Sequence, residues 1–176
     1  MIKIEFATQK IETQRLLLEP LVEAHADILF NSLCDERMYR WIESGGPTDI
    51  DQLRTKWKRN ESRISPDGTE AWLNWAIRLR NDGPYIGKLD AELDTPFNVK
   101  NVGFVLFPMY WGYGYATESL LAVKSALVSH GIVSMRATVA TPNIASARVL
   151  EKSGFTPGDL VKDEVDTREW KITMAQ

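Results

Sequence analysis

Residues 102–117, VGFVLFPMYWGYGYAT, combine a strand, a glycine-interrupted turn and the start of a helix. The first six residues are mostly apolar, β-branched or aromatic, which favours a buried strand. Pro108 ends that strand, because proline cannot donate to a strand ladder. From Ala116 onward the apolar residues recur at spacings of four, three and four, which places them on one face of a helix. The stretch predicts these three elements in immediate succession.

Gly112 and Gly114 stand where the predicted helix begins. The first turn of a helix has backbone N–H groups without intrahelical partners, and these groups attract anions together with the helix dipole. A phosphate reaches them only where no Cβ intervenes, which favours glycine. Two interpretations stay open from this stretch alone. It is either a phosphate-binding turn or a tight turn in which the glycines only provide a positive φ.

The bulk properties narrow the class of protein. A chain of 176 residues suits one domain, spanning residues 1–176, and 44% hydrophobic with 26% charged residues is typical of a soluble globular protein. The net charge of −3 argues against a nucleic-acid partner, which needs clustered Lys and Arg. No apolar segment approaches the ~20 residues of a membrane span or forms a signal-peptide core. One cysteine, Cys34, excludes an internal disulfide and a cysteine metal cluster, and a reducing cytoplasmic setting is the simple inference.

The remaining patterns predict the element order β-α-α-β-β-β-α-β-α-β-β, a mixed α+β arrangement. The first strand is expected within residues 12–21, ending at Pro20, and the last two strands are expected around residues 163–166. Thr48 and Asp51 resemble a capping box at the start of the second helix. Short turns between successive strands predict antiparallel neighbours.

Three stretches of motif, covering nearly the whole chain, then point to one family. Residues 12–21, ETQRLLLEPL, are similar to a T-x-R-L-x-L-R-P-L opening, and residues 111–118, WGYGYATE, to G-x-G-Y-A-T-E. Residues 143–155, NIASARVLEKSGF, are similar to N-x-x-S-x-R-V-L-E-K-x-G-F. In this order the motifs resemble the GCN5-related N-acetyltransferases (GNAT), and within them the RimJ/RimL-like branch that acetylates ribosomal-protein N-termini. Any one motif would be weak, and the ordered set is specific.

The resemblance implies a mixed, twisted sheet of about seven strands with helices on both faces. The sheet would be splayed between residues 102–107 and 135–140, and acetyl-CoA would lie in that splay. Its pyrophosphate would sit on the turn's backbone N–H groups, and its pantetheine arm would pair with a strand edge. The residues implied to contact acetyl-CoA are Phe104, Val105, Leu106, Gly112, Tyr113, Gly114, Tyr115, Ala116, Thr117 and Asn143. Trp111 departs from the Gln or Arg of the family pattern, which should remove a polar side chain and keep the backbone cradle.

Two residues of the last motif each have two interpretations. Asn143 is a good helix N-cap by residue type, and in the family the asparagine also faces the cofactor. Ser146 either makes local hydrogen bonds only or, as the branch implies, protonates the leaving thiolate. Many family members use a tyrosine where this chain has Leu150, so Ser146 is the catalytic candidate.

The acceptor side has no unambiguous general base. Asp90, Glu92 and Asp94 alternate along one strand, so their side chains share one face. That face is either a solvated face or a surface that attracts a cationic amine and relays its proton through water. Trp41 belongs to a bulky cluster before a Gly-Gly-Pro break, which is either core or the wall of a substrate cleft. Glu118, in the first turn of the long helix, is explained by the helix dipole.

The resemblance therefore implies an N-acetyltransferase that moves the acetyl group directly from acetyl-CoA to a primary amine. The acceptor would be a peptide N-terminal α-amine or a small-molecule amine. The alternative is a module that binds acetyl-CoA and has lost its chemistry. No metal, nucleic acid or membrane partner is expected, and association into a homodimer is left open.

Overall fold

The computed structural model describes residues 8–161 and 166–174, which form four α-helices and a sheet of eight strands. The strands are β1 (Ile11–Glu12), β2 (Leu16–Pro20), β3 (Ala71–Leu79), β4 (Tyr85–Thr95), β5 (Asn98–Leu106), β6 (Ser134–Ala140), β7 (Thr156–Leu160) and β8 (Thr167–Thr173). The helices are α1 (His25–Leu33), α2 (Ile50–Asn60), α3 (Tyr115–Ser129) and α4 (Ile144–Lys152). Short 3-10 helices occupy Glu36–Tyr39 and Pro108–Tyr110. The predicted α+β class is confirmed.

The sheet has eight strands where about seven were predicted, because the predicted first strand is broken into β1 and β2. The hydroxyl of Thr13 accepts the backbone N–H of Leu16 at 2.8 Å and closes a turn at that point. Threonine hydroxyls compete with strand ladders for backbone groups in this way. At the other end of the chain, the predicted turn between the last two strands lies largely at residues 162–165, outside the described residues.

The sheet order is β1-β2-β3-β4-β5-β6-β8-β7, and its ladders are antiparallel except between β5 and β6. That parallel ladder is short: only Asn98 with Ser134 and Val99 with Met135 are paired. The β4–β5 ladder shifts register at the same level, where Leu93 faces Val99. Such irregularities bend a strand. Beyond Val99 the two strands are unpaired, which confirms the predicted splay.

Each face of the sheet buries its own apolar cluster. The larger cluster includes Leu120 and Leu127 of α3 and Leu150 of α4, so both helices pack on the same face. The smaller cluster joins α1 and α2 to the opposite face, where Trp57 and Ala76 are buried together. The predicted apolar stripe of α3 is confirmed, because its members line the larger core. The beginnings of α3 and α4 are therefore held over one face.

Helix α2 begins differently from the predicted capping box. Its N-cap is Asp49, whose carboxylate accepts the backbone N–H of Gln52 at 2.9 Å. The cap residue needs an extended backbone and a side-chain oxygen within reach of the first turn. Thr48 and Asp49 both offer the oxygen, and the sequence pattern does not decide between neighbours. The prediction of Thr48 was wrong by one residue.

In residues 8–161 and 166–174, the longest helix, α3, is too short and too polar to cross a bilayer, and the other helices fall short as well. The same part of the chain contains no group of three or more His, Cys, Asp or Glu side chains placed to hold a metal ion.

Candidate functional site

The turn between β5 and α3 (residues 112–117, called the glycine turn below) presents a row of free backbone donors. Gly112 and Gly114 have φ values of 83° and 81°, in the left-handed region that favours glycine. Helix α3 begins at Tyr115, and the N–H of Glu118 is the first in it to find a partner, the carbonyl of Gly114 at 3.0 Å. No N–H of the glycine turn itself donates to a described residue.

This geometry fits an anionic group. The unpartnered N–H groups lie at the start of a helix of 15 residues, where the helix dipole adds a favourable field. A Cβ built on Gly112 would meet no protein atom within 4 Å, so the space in front of the turn is open. The phosphate-binding interpretation of the turn therefore has the backbone geometry that it requires.

The edge of β5 that faces the splay carries further backbone groups. The N–H of Phe107 donates to the carbonyl of Ile86 at 2.8 Å, so Phe107 points its backbone groups toward β4. Backbone groups alternate along a strand, and those of Leu106 and Phe104 consequently point the other way. Because β5 is not paired with β6 beyond Val99, they face the splay. This is the edge along which a pantetheine arm is expected.

Two residues near this edge differ from the expectation. Val105 lies opposite Lys88 in the β4–β5 ladder, so its backbone faces β4 and only its side chain is available to a ligand. The indole N–H of Trp111 donates to the carbonyl of Leu106 at 2.7 Å. The side chain that replaces the family's Gln or Arg thus occupies one acceptor of the edge. The backbone of Phe104 and the N–H of Leu106 are left facing the splay.

The beginning of α4 lies at the same end of the splay as the glycine turn. Strands β5 and β6 run parallel, so the segments that follow their carboxyl ends meet at one edge of the sheet. Asn143 follows β6 and caps α4, with its side-chain oxygen accepting the N–H of Ser146 at 3.2 Å. The Ser146 hydroxyl makes no hydrogen bond to a described residue. The local hydrogen bond at Ser146 is therefore made by its backbone N–H. Its hydroxyl remains available for another role.

The two acceptor-side carboxylates lie on the opposite face of the sheet from α3 and α4. Asp90 and Glu92 alternate with Leu89 and Ala91, which are buried in the larger core. Gly103 of β5 lies directly opposite Asp90, and a Cβ built on it would meet nothing within 4 Å. The predicted shared face is thus open beside the splay.

Asp90 and Glu92 already have cationic partners, whereas the exposed Asp94 forms no ion pair with a described residue. Asp90 accepts the side-chain amide of Asn74 at 2.8 Å and forms an ion pair with Lys88. Glu92 lies 3.6 Å from the ammonium nitrogen of Lys100, which it shares with the closer carboxylate of Glu70. Neither is a free base or a free anion, so a cationic acceptor would have to compete with a lysine for it.

The structure does not join Trp41 to these carboxylates. Trp41 follows the 3-10 helix at Glu36–Tyr39 and is 38% exposed. Its ring contact is with its neighbour Arg40, whose guanidinium carbon lies 4.7 Å from the ring centroid. Of the two predicted roles, core packing does not apply to an indole this exposed.

Sequence reasoning missed the contact between the first motif and the glycine turn. Glu118, which the helix dipole was thought to explain, accepts the hydroxyl of Thr13 at 2.6 Å, the backbone N–H of Arg15 at 3.0 Å and its side-chain Nε at 2.6 Å. Burial raises the pKa of Glu118, but these hydrogen bonds outweigh burial and hold the pKa below its ordinary value. The T-x-R of the first motif, Thr13 to Arg15, is the sequence signal for this contact.

An open groove of about 480 Å³ runs beside this contact. It lies between the β1–β2 turn, the first two turns of α3 and the end of α4, and its lining includes one cationic side chain, Lys152. The groove reaches Gly114, so it continues from the glycine turn.

Comparison with known proteins agrees with this geometry. The acetyltransferase (GNAT) domain family matches residues 15–156. The "uncharacterized N-acetyltransferase YoaA" of Bacillus subtilis is 24% identical over 147 residues, covering 82% of this chain and 81% of the relative. The "FsC-acetyl coenzyme A-N(2)-transacetylase" of Aspergillus fumigatus is 27% identical over 173 residues, covering 92% of this chain and 71% of the relative.

The fold is shared with solved acetyltransferase structures. A complex of RimL, the ribosomal L7/L12 alpha-N-protein acetyltransferase, with coenzyme A superposes with a TM-score of 0.78 at 18% identity, covering 94% of this chain and 98% of that one. RimL belongs to the branch that the sequence motifs resemble, so the predicted recognition is confirmed. Since the family match extends from the β1–β2 turn to β7, the chain belongs to the acetyltransferase (GNAT) domain family and is an acetyl-CoA-dependent N-acetyltransferase.

Proposed function

We propose that this protein transfers the acetyl group of acetyl-CoA directly to a primary amine of low pKa, namely an α-amine at a peptide N-terminus or on a small molecule. The observation that carries the acceptor class is the pairing of Asp90 with Lys88 and of Glu92 with Lys100. These pairs engage the two β4 carboxylates that lie level with the splay, whereas Asp94 lies at the end of β4 where β5 and β6 are still paired. At the level of the splay, β4 therefore offers no free carboxylate to deprotonate a strongly basic amine.

The arithmetic of amine ionisation supports this choice. An α-amine has a pKa of about 7.7–8.0 and a lysine amine about 10.4, so at pH 7 roughly a tenth of α-amines are neutral against under a thousandth of lysine amines. A general base contributes about 10²–10⁴ in rate, comparable to the difference between those populations. A site without a base therefore favours α-amines. The names of two relatives, one acting at "alpha-N" and one at "N(2)", agree with that preference.

On the donor side, the N–H groups of the glycine turn would hold the pyrophosphate of acetyl-CoA. The backbone of Phe104 and the N–H of Leu106 would pair with the pantetheine arm as an added strand does. Acetyl-CoA supplies the thioester whose carbonyl carbon the amine attacks. Asn143 would keep α4 in place through its cap, so that Ser146 faces the same end of the splay.

Ser146 is the group that we assign to proton donation. Its hydroxyl is not committed to a described residue, and it lies in the first turn of α4. The hydroxyl would donate its proton to the sulfur as the carbon–sulfur bond breaks, and would recover a proton from the attacking nitrogen through solvent. A hydroxyl placed in this way acts as a general acid.

The test is release of free CoA thiol with a panel of peptides, polyamines and aminoglycosides. The decisive pair is one lysine-containing peptide with either a free or a blocked N-terminus. We expect turnover with the free N-terminus only, and a kcat/KM that rises with pH through about 7.7–8.0. Equal turnover of the blocked peptide would exclude the α-amine. Binding of acetyl-CoA without turnover on any amine would identify a module that has lost its chemistry.

A further inference from the structure

The first sequence motif begins beside the glycine turn, although it has no part in the reaction proposed above. Arg15 is the residue that joins them. Its Nε donates to Glu118 at 2.6 Å, and its Nη1 donates to the carbonyl of Tyr113 at 3.0 Å. Its guanidinium carbon lies 4.6 Å from the ring centroid of Tyr115, which itself stacks on Tyr113. One side chain therefore contacts the glycine turn and the first turn of α3 together.

Arg15 is itself fixed to the sheet. It immediately precedes Leu16, the fully buried first residue of β2. The N–H of Leu16 donates to the hydroxyl of Thr13 at 2.8 Å. The backbone N–H of Arg80 also donates to the carbonyl of Arg15 at 2.9 Å. The backbone of Arg15 is therefore held in a fixed position relative to the sheet.

The glycine turn needs such an anchor. Glycine loses more backbone entropy on ordering than other residues, so a turn with two left-handed glycines is costly to hold in one conformation. Ligand affinity improves when that cost is met before binding. The planar fork of arginine fixes two acceptors in one geometry, which a lysine ammonium does not. Here the two acceptors are the Glu118 carboxylate and the Tyr113 carbonyl.

We propose that Arg15 is a positioning residue for the glycine turn, which it holds in the phosphate-binding conformation through Tyr113 and Glu118. The proposal rests on the proposed function in one respect, because it takes the ligand of the turn to be the pyrophosphate of acetyl-CoA. The charge of Arg15 is already paired with Glu118, so its contribution is geometric.

The test compares two ligands that differ in their phosphates. Coenzyme A contains the pyrophosphate, and pantetheine lacks it. We expect Arg15→Gln to weaken CoA binding about tenfold in calorimetry and to change pantetheine binding by less than about twofold. The KM for acetyl-CoA should rise by the same factor while kcat stays near wild type. A merely structural role would affect both ligands alike.

Arg80→Gln is the matched control. It removes an arginine contact to the same β1–β2 turn, at the Thr13 carbonyl, but that side chain does not contact the glycine turn. We expect its affinity for CoA to stay within about twofold of wild type. An equal loss in Arg80→Gln and Arg15→Gln would overturn the proposal, because the whole turn and not the fork of Arg15 would then be responsible.

Two more variants separate geometry from charge. Glu118→Gln leaves Arg15 as an uncompensated cation, so a purely electrostatic role predicts tighter CoA binding, whereas positioning predicts weaker binding. Arg15→Lys keeps the charge but loses the fork, and we expect it to behave as Arg15→Gln does. Tighter binding in Glu118→Gln, or full rescue by Arg15→Lys, would overturn the proposal.

The calorimetric binding measurements need no acceptor, so they remain decisive if the acceptor class is wrong. If wild type binds CoA no better than pantetheine, the phosphate assignment fails, and this proposal fails with it. If wild type prefers CoA and Arg15→Gln binds CoA equally well, only this proposal fails.

Discussion

The indole N–H of Trp111 donates to the backbone carbonyl of Leu106 across 2.7 Å. This bond ties the residue before the glycine turn to the last residue of β5. It spans the short 3-10 helix Pro108–Tyr110, which lies between the two. Trp111 thus fixes the start of the glycine turn to β5. This contact is independent of the one that Arg15 makes with Tyr113.

Trp111→Phe should weaken CoA binding without unfolding the protein. Phenylalanine keeps most of the ring and removes the N–H, and a hydrogen bond of this kind contributes about 0.5–1.5 kcal/mol. That corresponds to roughly two- to tenfold in the dissociation constant, measured by calorimetry. Trp72→Phe is the control, because the Trp72 indole donates to Glu70 on the far side of the sheet. Unchanged affinity in Trp111→Phe would show that the bond to Leu106 does not support the turn.

Gly114→Ala should separate backbone strain from ligand exclusion when it is compared with Gly131→Ala. The φ values are 81° and 92°, so each alanine costs roughly 1–2 kcal/mol of the free energy of unfolding. Neither new Cβ clashes: the nearest atom to that of Gly114 is Arg15 Nη2 at 3.6 Å, and Gly131 has none within 4 Å.

Gly114 lies within the row of free N–H groups, whereas Gly131 lies beyond the far end of α3, so only Gly114→Ala adds a methyl group to that row. We expect it to lower CoA affinity at least about tenfold, whereas Gly131→Ala should bind normally. Thermal unfolding and calorimetry on both variants check the two effects separately. Equal CoA affinity in the two variants would contradict the phosphate assignment.

Ser146→Ala should lower kcat and leave the CoA dissociation constant nearly unchanged. Removal of a general acid costs about 10²–10⁴ in rate, whereas the backbone N–H that Asn143 accepts is kept in alanine. Ser125→Ala is the matched control, since Ser125 is exposed on α3 away from the glycine turn. Steady-state rates at saturating acetyl-CoA give the comparison. A Ser146→Ala variant as fast as Ser125→Ala would return the hydroxyl to a passive role.

The parts of the site that the sequence predicts are those that depend on neighbours in the chain. Gly112 and Gly114 have positive φ because a tight turn into a helix requires it, and Asn143 caps α4 because its side chain reaches three residues along. Both can be deduced from residue type and spacing. The splay was predicted correctly as well, but from the family resemblance and not from any local pattern.

The parts that could not be predicted are contacts between distant segments. Arg15 and Glu118 are 103 residues apart, and no periodicity relates them. The alternation of Asp90 and Glu92 predicted a shared face, but their lysine partners depend on the side-chain conformations of β4 and β5. Tertiary pairing decides whether such a carboxylate is free, and one sequence alone does not contain that information.

His25, the first residue of α1, is buried and belongs to a chain of hydrogen bonds that includes Tyr85 and Glu19. Its Nδ1 accepts the backbone N–H of Val22 at 3.1 Å, and its Nε2 lies 3.3 Å from the hydroxyl of Tyr85. That hydroxyl donates to Glu19 at 2.6 Å. A neutral imidazole protonated on Nε2 satisfies every contact. Burial raises the pKa of Tyr85 to about 12, and the hydrogen bond to Glu19 acts in the same direction, so the hydroxyl keeps its proton.

Burial lowers the pKa of His25 below its ordinary value of about 6.5, and the charge of Arg63 acts in the same direction against the opposing charge of Glu19. The unfolded chain therefore takes up a proton at a higher pH than the folded one. The contribution of His25 to the free energy of unfolding should be at its maximum above about pH 6.5. It should decrease as the pH falls below 6.5, by at most about 1.4 kcal/mol per pH unit. The fall should stop below the folded-state pKa.

His25→Asn removes this titration and keeps an oxygen that can accept the N–H of Val22. We expect urea unfolding of the variant between pH 6.5 and 5.5 to lose the slope that wild type shows. His130→Asn, which changes the other histidine at the exposed end of α3, should retain that slope. A wild-type stability that is flat across this interval, or a slope that follows His130, would show that His25 is not held neutral by the fold.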